Sequence, residues 1–252
     1  MINLYELEQY LADLLGVSKF KDYCPNGIQV EGKAEISTIV SGVTASQTLL
    51  DQAVNLKADA VLVHHGYFWR GENPVVRGMK KKRLATLLKQ DMSLLAYHLP
   101  LDAHPVLGNN AQLAQRLGIE VENVMDAREL QGVGNIGVLA EPMTLEAFAL
   151  QVASTLQREP ILVSGGAHLI KRIAWCTGGA QNYIDRAAEL GVDAYLSGEI
   201  SEQTTHSARE LGIHYIGAGH HVTERYGVQA LGEHLAERFG LKHIFLDLDN
   251  PA

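Results

Sequence analysis

From residue 38 the chain alternates short, nearly continuous apolar runs with longer segments whose apolar residues recur at helical spacing. "TIVSGV", "DAVLVHH" and "SLLAYH" read as strands, and "SQTLLDQAVNL", "KKKRLATLLKQ" and "NNAQLAQRLG" as the helices that follow them. Apolar runs of this kind, separated by helices of about ten residues, are the mark of βαβ units and a parallel sheet buried on both faces. The second half repeats the pattern: "KRIAWC", "DAYLSGE" and "IHYIGAGHH" as strands, "NYIDRAAELG", "EQTTHSARELG" and "GVQALGEHLAERFG" as helices, and "KHIFLDLD" as a closing strand. Ahead of these, "MINLYELEQYLADLLG" reads as a helix with Asn3 as N-cap, Glu6 three residues on, and Leu4, Leu7, Leu11 and Leu14 along one face.

The halves also correspond residue by residue. At an offset of 134, Ile39 matches Ile173, Gln47 Gln181, Asp51 Asp185, Ala53 Ala187, Leu56 Leu190, Asp59 Asp193, Ala60 Ala194 and Leu62 Leu196. Two βαβ units share alanine and leucine by composition alone, but the shared frame of glutamine and aspartates points to an internal repeat. The expected architecture is therefore α/β, two similar α/β domains with largely parallel sheets. The glycine-rich stretch "ENVMDARELQGVGNIGVLAEPM" puts the expected boundary near residue 125, giving domains 1–125 and 126–252. "GNIGVLAEP" then opens the second half as a strand, followed by a helix capped at Thr144, and "VSGGAH" is a turn.

Composition narrows the function classes. With 46% hydrophobic residues and a formal net charge of -8, the chain is globular and lacks the basic footprint of a nucleic-acid binder. Cys24 and Cys176 stand in no redox or metal spacing, so a reducing, cytoplasmic setting is expected. No apolar run approaches the roughly 20 residues of a membrane span.

Chemistry-bearing residues collect at the carboxyl ends of the expected strands, where open parallel sheets place their ligands. His64 and His65 follow "VLV", His98 and Asp102 lie four apart, and His220 and His221 precede Glu224. If the strand ends at Val63, its alternation no longer holds the two adjacent histidines to opposite faces, and Gly66 would supply backbone freedom for the turn. Imidazoles and carboxylates suit zinc, iron or manganese, and two imidazoles on each side with carboxylates between them would suit a pair of such ions about 3.5–4 Å apart. Each residue also has an ordinary reading: a lone strand-end histidine is commonly a surface group, and an acid near a helix start is commonly a first-turn residue.

Glu199 occupies the place in the repeat that His65 holds in the first half, and His206, on a helix just after "SGEISEQTT", is intermediate between a site histidine and an ordinary one. His168, His214, His234 and His243 look structural. "RGMKKKR", residues 77–83, is a solvated helix face by default; with Arg70 it would otherwise serve to hold a phosphate. Asn26-Gly27 is a turn signal requiring no chemistry, and the short glycine turns at 41–43 and 177–179 are neither P-loop nor Rossmann fingerprint.

Through "PNGIQVEG", "VSGVTASQTLLDQA", "ADAVLVHHGYFW", "HLPLDAHPVLGNN", "CTGGAQNYIDRAAELGVDAYLSGE" and "GHHVTER", the chain resembles the NIF-three-like proteins, the GTP cyclohydrolase I type 2 homologues, over essentially its whole length. It looks closest to the short bacterial members. The resemblance implies two similar α/β domains, a dinuclear metal site in the cleft between them, and a toroidal homohexamer. By motif the metal ligands would be His64, His65, Asp102, His220 and Glu224, with Glu224 a bridge, while His98 and His221 would support the ligands or face the substrate. Two departures alter the pocket wall without removing a ligand: Gly66 where many members have proline, and "HLPLD" where they have "HTNLD".

The leading expectation is a dinuclear divalent-metal hydrolase (two zinc, iron or manganese ions per subunit) of a nucleotide or related heterocycle. In its cyclohydrolase form a water acidified by the metals attacks C8 of guanine, and the ring opens with loss of formate. His98 or His221 would carry the proton. The alternatives are a metal-braced scaffold that recruits partners without turnover, and a hydrolase of damaged nucleotides. The expected partners are a small-molecule substrate and further copies of the chain, with no direct nucleic-acid binding and no membrane.

Overall fold

The computed structural model describes residues 1–126 and 132–252; residues 127–131 of the expected boundary stretch lie outside the described residues. In chain order the elements are β1 (Ile2–Asn3), α1 (Leu4–Leu15), β2 (Gly27–Val30), β3 (Glu35–Ile36), β4 (Thr38–Thr44), α2 (Gln47–Asn55), β5 (Ala60–His65), α3 (Gly78–Lys89), β6 (Ser93–Ala96), α4 (Leu99–Ala103) and α5 (Asn109–Arg116). They continue with β7 (Ile119–Val124), β8 (Asn135–Met143), α6 (Leu145–Leu156), β9 (Ile161–Val163), β10 (Ile170–Cys176), α7 (Ile184–Glu189), β11 (Ala194–Ser197), α8 (Glu202–Leu211), β12 (His214–Gly217), α9 (His220–Phe239) and β13 (Lys242–Phe245).

The residues group into two compact units. The first comprises Met1–Leu101 with Gly227–Asp249, and the second Asp102–Tyr226 with Asn250–Ala252. This differs from the expected single break near residue 125. Its cause is β13, which pairs in parallel with β4 and so returns the end of the chain to the first sheet.

In the first unit the strand order is β13-β4-β5-β6-β2, parallel except for β2. Val40, Val61, Val63, Leu94 and Ala96 pack with Leu49, Leu50 and Ala53 of α2 and Leu87 of α3. The intervening Ile39, Leu62 and Leu95 are equally buried, so the strands are apolar on both faces, as their continuous runs require. Asn3 caps α1 by accepting the Tyr5 N–H at 3.0 Å. The buried stripe is Leu4, Leu7, Leu11 and Leu15, which replaces the expected Leu14 in the last turn before the left-handed Gly16.

The second unit orders its described strands β7-β8-β10-β11-β12-β9. β10, β11 and β12 are parallel, while β8 and β9 run antiparallel on either side. Its core joins Phe148, Val152 and Leu156 of α6 to Ile173, Trp175, Leu196 and Ile216 of the sheet. Thr144 caps α6 as expected, accepting the Ala147 N–H at 3.2 Å.

The repeat extends to hydrogen bonds. The order β4-β5-β6-β2 of one unit matches β10-β11-β12-β9 of the other, antiparallel edge included. Asp59 accepts the backbone N–H groups of Ser37 and Thr38, both at 3.0 Å. Asp193, its partner at the offset of 134, accepts those of Lys171 and Arg172 at 2.9 and 2.7 Å. Each aspartate thus satisfies the donors at the start of the first parallel strand of its unit. A second correspondence involves glycine: a Cβ on Gly32 would lie 2.6 Å from the Asp91 carbonyl oxygen, and one on Gly165 within 2.5 Å of the Ile213 backbone. Both positions are glycine because backbone passes against backbone there.

Candidate metal centre

In the first unit the strand β5 continues through His65 rather than ending at Val63, because Thr44 of the long β4 pairs with His65. On the other side β6 pairs only as far as Val63, so the ladder releases one flank of the histidine pair. His64 is fully buried and His65 half-buried, and their ring centroids are 4.6 Å apart. His98 joins them, with centroids 5.0 Å from His64 and 5.8 Å from His65. One ring nitrogen of each of the three lies within 4.8 Å of the others. Gly66 does not provide a left-handed turn here. It is glycine because a Cβ would stand 2.1 Å from Gln29 Oε1 and 2.7 Å from Ala96 Cβ.

Hydrogen bonds to acceptor-only oxygens set the tautomers of two of these rings, His64 and His98. His64 Nδ1 lies 2.9 Å from the Tyr97 carbonyl oxygen, which can only accept, so Nδ1 carries the proton and Nε2 the lone pair. His98 Nδ1 donates in the same way to Asp22 Oδ1 at 2.7 Å. His65 Nδ1 is 3.3 Å from the Thr44 hydroxyl. Asp22 also accepts from the Tyr23 and Leu99 backbone N–H groups and from Asn26 Nδ2, at 2.6, 2.9 and 2.9 Å. Asn26 Oδ1 in turn accepts the His98 N–H at 2.7 Å. Burial pushes the Asp22 carboxyl up, but the hydrogen bond and charge of His98, with Asn26 and the Tyr23 N–H, outweigh it and bring it down to about 2. Asn26, expected to be a bare turn residue, therefore holds the histidine. Cys24 lies beside this pair, but burial and the Asp22 charge push its thiol up to about 12, so it stays protonated.

In the second unit His220 opens α9, so His220 and Glu224 are one helical turn apart rather than ahead of a helix. His220 Nε2 is 3.1 Å from Glu224 Oε2, and its Nδ1 is 2.7 Å from Glu199 Oε1. Burial pulls the imidazole down, but the hydrogen bond and charge of Glu224, followed by those of Glu199, overcome it and raise the group to about 9. The position strongly favours positive charge. Asp102 is buried and accepts from Asn109 Nδ2 at 2.8 Å and Thr177 Oγ1 at 3.3 Å. Asp102 and Glu224 act on one place: after burial, their two negative charges are what hold the Cys176 thiol well above its ordinary range.

Glycines shape this second cluster. Gly178 adopts φ +68°, and a Cβ there would be 1.9 Å from Glu224 Oε1; on Gly198 it would be 2.7 Å from the His220 Cα. The glycine turn at 177–179 therefore packs directly against Glu224. It is tied to α9 by the Gly178 N–H, which donates to Thr223 Oγ1 at 3.1 Å. His221 is buried, and its backbone N–H donates to the Ala252 oxygen at 3.2 Å.

The other expectations resolve as follows. His168 and His214 stack at 4.1 Å and bond to backbone, His234 meets the Tyr10 hydroxyl, and His243 meets the Ser41 hydroxyl. His206 is exposed on α8. The 77–83 run forms the N-cap and first turns of α3 and is largely exposed, with Lys80 ion-paired to Glu72 at 3.2 Å. Sequence reasoning missed Asp22, Asn109 and Thr177, whose only signal was proximity to histidine-bearing motifs.

The donor chemistry fits divalent ions. Imidazoles whose Nδ1 is anchored to an oxygen acceptor, leaving Nε2 as the coordinating nitrogen, are the usual form of metal-ligating histidine. Buried carboxylates supply the charge, and Gly178 and Gly198 leave room beside them.

Fold and site thus define a two-unit α/β protein, each unit carrying imidazole or carboxylate side chains of the kind that can hold a metal beyond the carboxyl ends of its parallel strands. The profile of the Duf34/NIF3 (NGG1p interacting factor 3) family matches residues 2–251, and the chain belongs to that family. A Pseudomonas aeruginosa protein named GTP cyclohydrolase 1 type 2 homolog is 62% identical over 238 residues, covering 94% of each chain. Among solved structures, protein ybgI, described as of unknown function, superposes with a TM-score of 0.96 at 52% identity over the full length of both chains. TTHA1606 from Thermus thermophilus superposes with a TM-score of 0.90 at 31% identity, again over both full lengths. No helix among the described residues is long and apolar enough to cross a membrane.

Proposed function

We propose that this protein is a divalent-metal-dependent hydrolase of a nucleotide or related heterocycle, with His64 and His65 of the first unit and Asp102, His220 and Glu224 of the second binding a shared pair of ions. The observation that carries this reading is the incompleteness of each half. In the first unit Asp22, the carboxylate bound to His98, already accepts from four donors; the second unit offers two buried carboxylates with one anchored imidazole. Together they make the mixed nitrogen–oxygen set of zinc, iron or manganese. Bound divalent ions supply Lewis acidity and lower the pKa of water into the neutral range.

His98 has the role of proton carrier. Asp22 fixes its Nδ1–H, so Nε2 is the basic nitrogen presented beside His64 and His65. Glu199 orients His220 by the same logic, and His221 stands next to it in the chain as a second candidate for proton transfer. In the cyclohydrolase form, suggested by the name of the Pseudomonas relative, the imidazole ring of guanine opens and C8 leaves as formate, one water being consumed per C–N bond broken.

The test is to purify the chain, determine its metal content, and incubate it with GTP while following formate and phosphate. Metal-dependent formate release, lost in His98→Ala with metal retained, is the expected result. Metal-loaded protein that releases neither product from GTP or a panel of damaged nucleotides would overturn the hydrolase reading in favour of a metal-braced scaffold. The family resemblance adds homohexamer assembly to the proposal, to be read by light scattering.

A further inference from the structure

The loop that follows the paired histidines is built more carefully than a connection needs. The Tyr67 N–H donates to Gln29 Oε1 at 2.6 Å, the Arg70 N–H to the Tyr23 carbonyl at 2.7 Å, and Arg70 Nη2 to the Asp22 carbonyl at 2.8 Å. The Trp69 N–H donates to Glu72 at 3.2 Å. In the middle of these ties Phe68 sits at φ +63°, a left-handed conformation that costs a non-glycine residue energy and persists where the surroundings impose it.

What the strained loop presents is aromatic. Trp69 stands edge-on to His98, with centroids 5.0 Å apart and planes at 88°, and 6.0 Å from His65. Tyr23 lies 6.3 Å from His98 and is 53% exposed, and the Arg70 guanidinium sits 5.8 Å from its ring centroid. An exposed tyrosine and a half-buried tryptophan thus flank His98 on the same unit, with an exposed arginine beside the tyrosine.

The geometry points to a base-binding platform: Tyr23 and Trp69 take the planar heterocycle of a nucleotide, and Arg70 faces its anionic tail. Aromatic faces bind bases by stacking irrespective of the hydrogen-bonding edge, and arginine adds a cation–π and phosphate partner. This deepens the hydrolase reading, because it names the residues that would hold the substrate ring beside His98. It rests on that reading only for the identity of the reaction, since stacking needs no metal.

The chain has two tryptophans, and Trp175 is fully buried with its Nε1–H bonded to the Asn110 carbonyl, so a surface ligand that quenches emission reports on Trp69. The probe is guanosine 5′-monophosphate, titrated into chelator-stripped and metal-loaded protein, with ribose 5-phosphate as the base-free control. The nucleotide is expected to quench emission saturably and the sugar phosphate not to. By equilibrium dialysis Trp69→Ala and Tyr23→Ala weaken nucleotide binding by about five- to a hundredfold, the range of stacking on one aromatic residue. Trp69→Phe and Tyr23→Phe keep most of the affinity, and Trp69→Phe abolishes the quenching. Unchanged far-ultraviolet circular dichroism shows that each variant is folded. Equal binding of ribose 5-phosphate, or wild-type affinity in both alanine variants, would overturn the platform. So would absence of nucleotide binding in the wild-type chain, whereas the metal reading would still stand or fall on metal content alone.

Discussion

Asp22→Asn isolates the group that aims His98. In the native chain the carboxyl is brought from 3.8 down to about 2. That difference corresponds to about 2.4 kcal/mol favouring the ionised folded form, and solvent screening reduces it to roughly 1–2 kcal/mol. The sign follows from the depressed value. This stability is present above pH 3.8 and is lost as the pH falls through 3.8 towards 2, because the unfolded chain takes up the proton first. Asparagine keeps the shape but has no charge to lose, and one of its two terminal atoms can no longer accept, which adds a pH-independent cost of about 1 kcal/mol. Urea unfolding of both chains, stripped of metal, at intervals from pH 2 to pH 7 measures the gap directly. The gap is expected to be about 2–3 kcal/mol near neutrality and to shrink by about 1–2 kcal/mol towards pH 2. A gap that does not change with pH would refute the claim that His98 and Asp22 form a charge-assisted pair.

Other perturbations bear on neighbouring parts of the account. Gly178→Ala forces a Cβ against Glu224 as well as straining φ +68°, and should cost about 2–4 kcal/mol and lower metal content. Gly191→Ala, at φ +65° with open space around it, should cost only the backbone part, about 1–2 kcal/mol, in the same urea assay and leave metal unchanged. Asp59→Ala and Asp193→Ala each strand two backbone donors and should destabilise by similar amounts, about 1–3 kcal/mol, whereas Lys33→Ala removes only an exposed partner of Asp59 and should cost under about 1 kcal/mol.

Much of this was legible in the residues. Continuous apolar runs announced strands buried on both faces, and the matched Asp59 and Asp193 announced a repeat that the structure carries down to the same pair of backbone donors. Local pattern cannot say which strand a segment joins. The pairing of β13 with β4, across some 200 residues of sequence, is therefore where the expected domain boundary parted from the observed units. The histidines stood out because they interrupt apolar runs. Asp22, Asn26, Asn109 and Thr177 did not, because a side chain that orients another carries no periodicity and is recognised only by what it touches. The strand that was expected to stop at Val63 continued because its limit is set by Thr44 on the neighbouring strand.

The central claim is that ligands from both units hold the same ions, and metal analysis of single variants tests it most directly. Wild-type chain loaded with zinc, iron or manganese and desalted should retain about two ions per subunit. His65→Ala in the first unit and Glu224→Ala in the second should each lower that number, with folding verified by far-ultraviolet circular dichroism. Retention of the full complement by both variants would contradict the account.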